Sequence, residues 1–453
     1  MTDATASGMA APATSRPKSS LMAQTALVKR RNASEARFKA YGIAAIVLSL
    51  ATLTFMLFTI FRDGISAFYQ TKLTFPLELT ADILDPDGNR NRAEMTKVTT
   101  LGYNKVLAAS LKAELAKDGI AVDGQSEKEV SDMISKNAAG SLRAMVLANP
   151  ELVGTTIDAQ VLATGRIDGF LKGRVTMETA QRDSNVSVEQ LQLAEKLRDA
   201  GILQVVFNWD FITKPDASDQ RPEAAGLGVA IIGSAYMMLL VLITCVPVGV
   251  AASIYLEEFA PKNVWTDAIE VNISNLAAVP SIVFGILGLA IFINFAGLPN
   301  SSSIVGALVL SLMTLPTIII ATRSSIKAVP PSIRDAALGI GASKMQTVFH
   351  HVLPLAMPGI LTGTILGLAS ALGETAPLLL IGMVAFVGNY PGAPISGLMD
   401  PATALPVQVY GWAQRADPAF IERSSGAIII LLIFLVVMNV LAILLRRRFE
   451  RRW

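Results

Sequence analysis

Long uncharged apolar stretches alternate with charged segments along this chain. A helix needs about 20 mostly apolar residues to cross the hydrocarbon core of a bilayer. Six such stretches occur, and the first is followed by a long polar segment: residues 40–61, 227–256, two stretches between Glu270 and Arg323, 358–387 and 424–445. The pattern therefore predicts six transmembrane helices, with the two between Glu270 and Arg323 joined by a tight turn at 297–301.

The segment 62–223 has the composition of a soluble domain, with acidic and basic residues throughout. Helical periodicity is present at 106–116 and 130–147, and the run 74–79 is typical of a strand. A segment of about 160 residues is long enough for a core of its own. The predicted fold class is thus an all-α polytopic membrane protein with six transmembrane helices and an inserted soluble α+β domain.

Lysine and arginine residues near the ends of the spans predict the orientation, because they collect on the cytoplasmic side. The approach to the first span, the loop 323–358 and the end of the last span are basic, whereas the turn 296–302 has no basic residue. Both termini and the loop 323–358 are therefore expected in the cytoplasm. The predicted organisation is a cytoplasmic tail (1–39), a first span (40–61), an extracytoplasmic insert (62–223), a membrane core (224–446) and a second cytoplasmic tail (447–453).

Composition supports a membrane location and excludes several functions. The chain is 52% hydrophobic and 16% charged, with a mean hydropathy of +0.49. Its net charge of +2 gives no indication of nucleic-acid binding, and the single cysteine, Cys245, excludes a disulfide framework or a cysteine zinc site. The only histidines, His350 and His351, are adjacent and would point apart on a helix, so no metal is expected.

Residues 1–25 are expected to be disordered, and the first span is expected to stay in the protein because it begins too late for a cleaved signal.

The basic loop 323–358 predicts two short helices separated by a turn. Ser332 with Asp335, and Ser343 with Gln346, have the spacing of capping boxes at helix N-termini. Gly341 lies between them as a C-cap. We expect Pro354 to end the second helix, and the small residues of the first helix to let another surface approach its backbone closely.

The same loop resembles the EAA signature of ABC importer permeases, although an ordinary amphipathic loop is the plain alternative. The resemblance rests on Asp335-Ala336-Ala337, Gly341 and Leu353-Pro354. Asp335 replaces the usual glutamate, and His351 stands where an apolar residue is usual. The resemblance implies that the helix before the glycine docks into a cleft of an ATPase subunit.

Three further segments are similar to the PstA-type permease of the phosphate-specific importer: Asn275–Gly285, Gly373–Leu379 and Ala404–Tyr410. This resemblance implies a multi-pass subunit of the bacterial cytoplasmic membrane that moves inorganic phosphate inward. It also implies a heterodimer with a second homologous permease, two cytoplasmic ATPases and an extracytoplasmic phosphate-binding protein. The insert 62–223 resembles an extension found in a subset of members.

No GxxxxGK[ST] phosphate loop occurs in the sequence. We therefore expect ATP to be hydrolysed by a partner subunit, with no cofactor bound by this chain and no catalytic residue within it.

Glu374 is the strongest candidate for a residue of the substrate path, because it is the only formally charged residue between Lys344 and Asp400. A carboxylate in hydrocarbon is costly and should have a partner. It is expected either to fix a basic residue or to hold a proton; the alternative is a shallow residue that bonds neighbouring backbone. In the permeases that the chain resembles, an arginine precedes the glutamate by one helical turn, whereas here that place is Ser370.

Thr375, Pro280 and Ser281 are further candidates for the path. Pro280, Ser281 and Pro316 are expected to interrupt helices within the membrane, as packing kinks or as positions that line the path.

Two alternatives remain at this point. The cargo can be another oxyanion, namely sulfate, molybdate or phosphonate. Alternatively, the chain is a membrane sensor with 62–223 as its receptor domain, although the tail after the last span is short for a signalling output.

Overall fold

The computed structural model describes residues 26–120, 127–182, 185–383, 386–392 and 395–449. The predicted disorder of residues 1–25 lies outside the described residues, as does the end of the C-terminal tail. The chain divides into two compact units, residues 1–59 and 60–453. Helix α1 is Ala26–Gly64, and its apolar side chains between Ile43 and Phe58 are largely exposed, as a lipid-facing helix requires.

A three-stranded antiparallel sheet organises the polar segment and confirms the predicted α+β fold. Its strands are β1 (Tyr69–Glu78), β2 (Thr156–Leu162) and β3 (Leu203–Phe207), in the order β2-β1-β3. The predicted strand 74–79 is the second half of β1. Phe75 pairs with Ala159 on one side, and Leu73 pairs with Leu203 on the other.

We call the polar segment 62–223 the outer domain, after its predicted location. Nine of its helices, α2–α10, lie within the described residues: Ala81–Leu84, Arg92–Met95, Thr100–Lys117, Glu127–Ser131, Lys136–Ala148, Gly165–Leu171, Met177–Ala180, Val188–Asp199 and Trp209–Thr213. Alternate β1 residues Leu73, Phe75 and Leu77 are buried in one core with Leu107 and Leu111 of α4. The helix predicted at 106–116 is confirmed as α4. The one predicted at 130–147 is split, because Ser135 accepts a hydrogen bond from Asn137 N–H and starts α6.

The remaining helices are α11–α20: Gly228–Ile254, Val264–Ala277, Ser281–Gly288, Ser303–Lys327, Pro331–Gly339, Lys344–Thr347, Leu353–Gly373, Ala376–Leu380, Leu405–Ala413 and Pro418–Phe449. Among the described residues, five helical segments are long and apolar enough to cross a membrane. A bent pair, α12 with residues 281–295, would be a sixth. The membrane-spanning fold class is thus confirmed.

The third predicted span is sharply bent. Helix α12 ends at Ala277, and the next helical segment begins at Ser281 at an angle of 102°. Pro280 forms the N-cap of α13, because proline lacks an N–H and keeps the preceding residue out of the helical region. The interruption predicted at Pro280 and Ser281 is confirmed. The one predicted at Pro316 is wrong, because α14 continues through this proline.

The fifth predicted span has different ends from those expected. Pro354 does not end a helix, since α16 continues into α17 through a π-turn at Val348–Val352. The wider turn changes the local hydrogen-bond register, so a proline directly after it is tolerated. The helix ends at Gly373 and does not extend to Val387.

Candidate functional site

The loop 323–358 forms the predicted helix, turn and helix, but the first helix is capped at a different residue from the one expected. Helix α15 starts at Pro331 after Pro330, and Ser332 lies inside it with no capping hydrogen bond, so the first predicted capping box is wrong. The second is confirmed: Ser343 Oγ accepts from Gln346 N–H at 3.2 Å. Gly341 adopts a φ of +89°, which confirms it as the residue of the sharp turn.

Arg334 fixes α15 to the end of the second span that carries Glu257 and Glu258. Its guanidinium donates to Glu258 Oε1 at 2.7 Å, to the carbonyl of Ile326 at 2.9 Å and to that of Val329 at 2.7 Å. This contact was not predicted from the sequence. The available signal was an acidic pair, Glu257-Glu258, at a span end opposite a basic loop.

The small residues of α15 do not all face outward. Asp335, Ala336 and Gly341 are exposed or half-buried, whereas Ala337 is only 4% exposed and packs inside the chain. The expectation that Ala337 is offered to a partner surface is therefore wrong, because this face of the helix covers the chain's own core. The apolar side chains that α15 exposes are Leu338 and, after the helix, Ile340, which is 82% exposed.

Leu353 and Pro354, also part of the resemblance to the EAA signature, are half-buried at the start of α17. They belong to the continuous helix formed by α16 and α17, so they can connect the loop 323–358 to the fifth span.

Glu374 and Thr375 lie in a two-residue break between α17, which ends at Gly373, and α18, which begins at Ala376. Both side chains are half-buried. Within the part of the chain that the structure describes, the Glu374 carboxylate has no hydrogen bond or ion pair.

Two of the segments that resemble PstA-type permeases, Asn275–Gly285 and Gly373–Leu379, pack together in the structure. A Cβ on Gly285 of α13 would lie 2.7 Å from Cα of Pro377 in α18, so only glycine permits this approach. Pro280 and Ser281, at the start of α13, belong to the segment that packs on the one following Glu374. The helices that follow the two breaks, α13 and α18, thus pack on each other, and backbone groups freed at such breaks can line a path where protein or water satisfies them.

Asp216 connects the outer domain to the third family-like segment. Its buried carboxylate accepts from Gln408 Nε2 at 2.9 Å, Trp412 Nε1 at 3.0 Å and Arg415 Nη2 at 2.8 Å. Gln408 and Trp412 belong to α19. Asp216 was not among the predicted site residues, since nothing in its neighbourhood along the chain indicates these partners.

A second buried ionic cluster joins the outer domain to the start of the last span. Glu422 of α20 pairs with Lys172 at 2.9 Å and with Arg174 at 2.6 Å, and both cations also pair with Asp168. The next residue, Arg423, donates to the carbonyls of Glu223 and Ala225, each at 2.9 Å. We call these contacts and those of Asp216 the outer clamp.

Glu223 lies at the same junction and is itself buried. Its carboxylate accepts a short hydrogen bond from Ser135 Oγ. Burial raises the pKa of Glu223 above its ordinary value of 4.5, because desolvation outweighs the hydrogen bonds and the attraction of Arg423.

Similarity to known proteins covers both parts of the chain. Residues 245–453 match the family described as the binding-protein-dependent transport system inner membrane component, and residues 25–181 match a domain of unknown function, DUF3333. The phosphate transport system permease protein PstA 2 of Mycobacterium bovis is 33% identical over 55% of this chain and 79% of its own length. The chain belongs to the PstA-type family of ABC importer permeases. It is therefore a permease, which rules out the sensor alternative.

Other relatives of this PstA-type permease agree on the family. The probable ABC transporter permease protein YqgI of Bacillus subtilis is 35% identical over 40% of the chain, and the chain spans 59% of that relative's length. PstA of Yersinia pestis is 30% identical over 49% of the chain and 73% of its own length. Among solved structures, an inward-facing MetNI methionine ABC transporter matches with 15% identity and a TM-score of 0.37, over 49% of this chain and 97% of that one.

Proposed function

We propose that this chain is the path-forming permease subunit of an ATP-driven importer of inorganic phosphate. The observation that carries the proposal is the 33% identity with a phosphate transport permease across 79% of that relative's length. It is supported by the geometry of the segments that resemble this family, because two of them pack together at Gly285 and Pro377, each shortly after a helix break.

The coupling to ATP is proposed to run through α15. Arg334 holds this helix against the second span, while Leu338 and Ile340 present an apolar surface to the cytoplasm. Such a surface fits a cleft on an ATPase subunit, since exposed apolar patches of this kind mark sites of protein contact. Closure of two ATPases would then move α15 and, through the continuous helix from α16 to α17, the fifth span.

The other proposed partners follow from the family. A second homologous permease would complete the path as a heterodimer and provide the charge partner that Glu374 lacks within the described chain. An extracytoplasmic phosphate-binding protein would deliver the anion on the side of the outer domain. Both termini are proposed to lie in the cytoplasm, with the whole assembly in the bacterial inner membrane.

Uptake of radiolabelled phosphate in a strain that lacks the gene tests the proposal. Restoration by the chain, with competition by unlabelled phosphate but not by sulfate, molybdate or phosphonate, is the expected result. If one of those anions competes better than phosphate, the chain is a permease for that oxyanion. If uptake is restored by an Asp335 or Ile340 variant that no longer retains the ATPase, the coupling assignment fails separately.

A further inference from the structure

We infer that the outer domain rests on the lipid surface through an exposed aromatic face of strand β3. This face consists of two alternate residues of β3, Val205 and Phe207, and the first residue of α10, Trp209, which are 48%, 42% and 67% exposed. Tyr69, which pairs with Phe207 across the sheet, is 46% exposed. Val205 and Phe207 share one side of β3 because they alternate along it, and the ring of Phe207 contacts the rings of Tyr69 and Trp209, so these side chains form one exposed apolar surface. We refer to it as the aromatic face.

The side chains of the aromatic face pack on one another. The ring of Phe207 is 4.8 Å from that of Trp209 and 6.2 Å from that of Tyr69, both in edge-on arrangements. A soluble domain seldom exposes a contiguous apolar patch that has no partner. Strand β3 is also an edge strand, and an exposed apolar edge promotes aggregation unless something covers it.

The position of the aromatic face favours lipid as the covering partner. Trp209 is the first residue of α10, and α10 contacts the outer end of the second span: Leu227 N–H donates to the carbonyl of Phe211 at 2.7 Å, and Gly228 N–H donates to that of Lys214 at 2.9 Å. Helix α11 begins at Gly228. The aromatic face is therefore held at the level where the chain enters the membrane.

Exposed apolar side chains also occur at the other end of the outer domain, directly after the first span. Ile65 and Tyr69 follow closely on Phe61, the last residue of the first uncharged stretch, and Ile65 is 55% exposed. The two segments that connect the domain to membrane spans thus each bring exposed apolar side chains to the edge of the bilayer.

The chemistry of the exposed rings also fits an interface between lipid and water. Within the described residues, Trp209 Nε1 and the Tyr69 hydroxyl have no hydrogen-bond partner, so each ring presents an apolar body and a free polar group. Tryptophan and tyrosine with this character are enriched at the headgroup level of membrane proteins. The inference does not depend on which anion the permease carries.

Spin labels test the inference on the full-length chain in nanodiscs of phosphatidylcholine and phosphatidylglycerol, alone and with its co-purified partner subunits. Labels are attached at Val205→Cys and, as a control, at Leu101→Cys, a 64% exposed residue of α4, in a Cys245→Ser background. At position 205 we expect more frequent collisions with oxygen than with a water-soluble nickel chelate. At position 101 we expect the reverse.

Two results would overturn the inference. If the labels at both positions collide more often with the nickel chelate than with oxygen, the aromatic face is covered by water. Low accessibility to both reagents at position 205, only when partner subunits are present, means that a protein covers it.

Quenching of tryptophan fluorescence gives an independent measure of the contact between Trp209 and lipid, and it needs no introduced cysteine. Lipids brominated near the ester end of the acyl chain should quench the wild-type chain more strongly than Trp209→Phe, because the difference reports Trp209 alone. Equal fractional quenching of the two proteins contradicts contact of Trp209 with lipid.

Discussion

The Asp216 carboxylate accepts a hydrogen bond from the Arg415 guanidinium at 2.8 Å, and the two side chains are only 5% and 17% exposed. Asp216 precedes the second span, whereas Arg415 lies between α19 and the last span. The pair therefore holds the outer domain against the end of the permease core at which the second span begins. Asp219 also contacts Arg415 at 2.9 Å, but its side chain is 77% exposed.

The difference between these two carboxylates gives a matched test of the outer clamp. Removing one partner of a buried ion pair costs about 3–5 kcal/mol, whereas an exposed pair contributes about 0–1 kcal/mol. Asp216→Asn should therefore lower the thermal unfolding midpoint of the purified chain strongly, and Asp219→Asn should hardly change it. Equal midpoints for the two variants would show that Asp216 does not hold the clamp.

Because Glu223 is buried with a raised pKa, we expect the stability of the folded chain to depend on pH. Because burial raises its pKa, the folded chain binds the proton more tightly than the unfolded chain does. The contribution of this group to the free energy of unfolding is therefore greatest below about pH 4.5 and declines as the pH rises through the raised pKa. Glu223→Gln cannot titrate and should flatten this decline.

Unfolding midpoints of the full chain across about pH 4–8 measure this effect, with Glu178→Gln as the control because its side chain is 82% exposed. Parallel curves for the wild type and Glu223→Gln would contradict the prediction.

Glu374 predicts a defect of transport without a defect of assembly. Glu374→Gln keeps the shape but loses the charge, so phosphate uptake should fall about tenfold or more, corresponding to at least about 1.4 kcal/mol in the barrier. Glu374→Asp should keep part of the activity. A shallow residue that only accepts hydrogen bonds would instead tolerate Gln and fail with Leu. Uptake rates of the three variants, each normalised to assembled complex, distinguish the two accounts.

Ile340 predicts the site of ATPase contact. Ile340→Glu places a charge on the most exposed apolar side chain of the coupling loop and should abolish co-purification of the ATPase, while Ile340→Leu should retain it. Both variants should insert normally, since the side chain at position 340 is largely exposed. Full recovery of the ATPase with Ile340→Glu would place the contact elsewhere. Ala337 is unsuitable for this purpose, because a substitution at this buried residue would disturb the packing of the chain itself as well as any contact with the ATPase.

The orientation is testable with two exposed positions. Lys117→Cys in the outer domain should react with an impermeant thiol reagent added to intact cells, whereas Ser332→Cys in α15 should react only after permeabilisation. Labelling of Ser332→Cys in intact cells would reverse the orientation and end the importer proposal.

Local patterns in the sequence were enough to predict the membrane-spanning helices, the soluble α+β domain and the turn at Gly341. A helix in a bilayer satisfies its own backbone and is recognised by the length of its apolar run. The glycine turn is equally local, since it depends on a φ that other residues rarely adopt. The resemblance to PstA-type permeases also rests on short contiguous segments.

Which of these residues act together became visible only in the folded chain. The break after Gly373, the burial of Ala337 and the partners of Asp216 all depend on packing between segments far apart in the chain; Asp216 and Arg415 are 199 residues apart. In the sequence they are two ordinary charges in polar segments. Because an ion pair becomes strong only where folding removes water from both partners, no local pattern could distinguish Asp216 from its exposed neighbour Asp219.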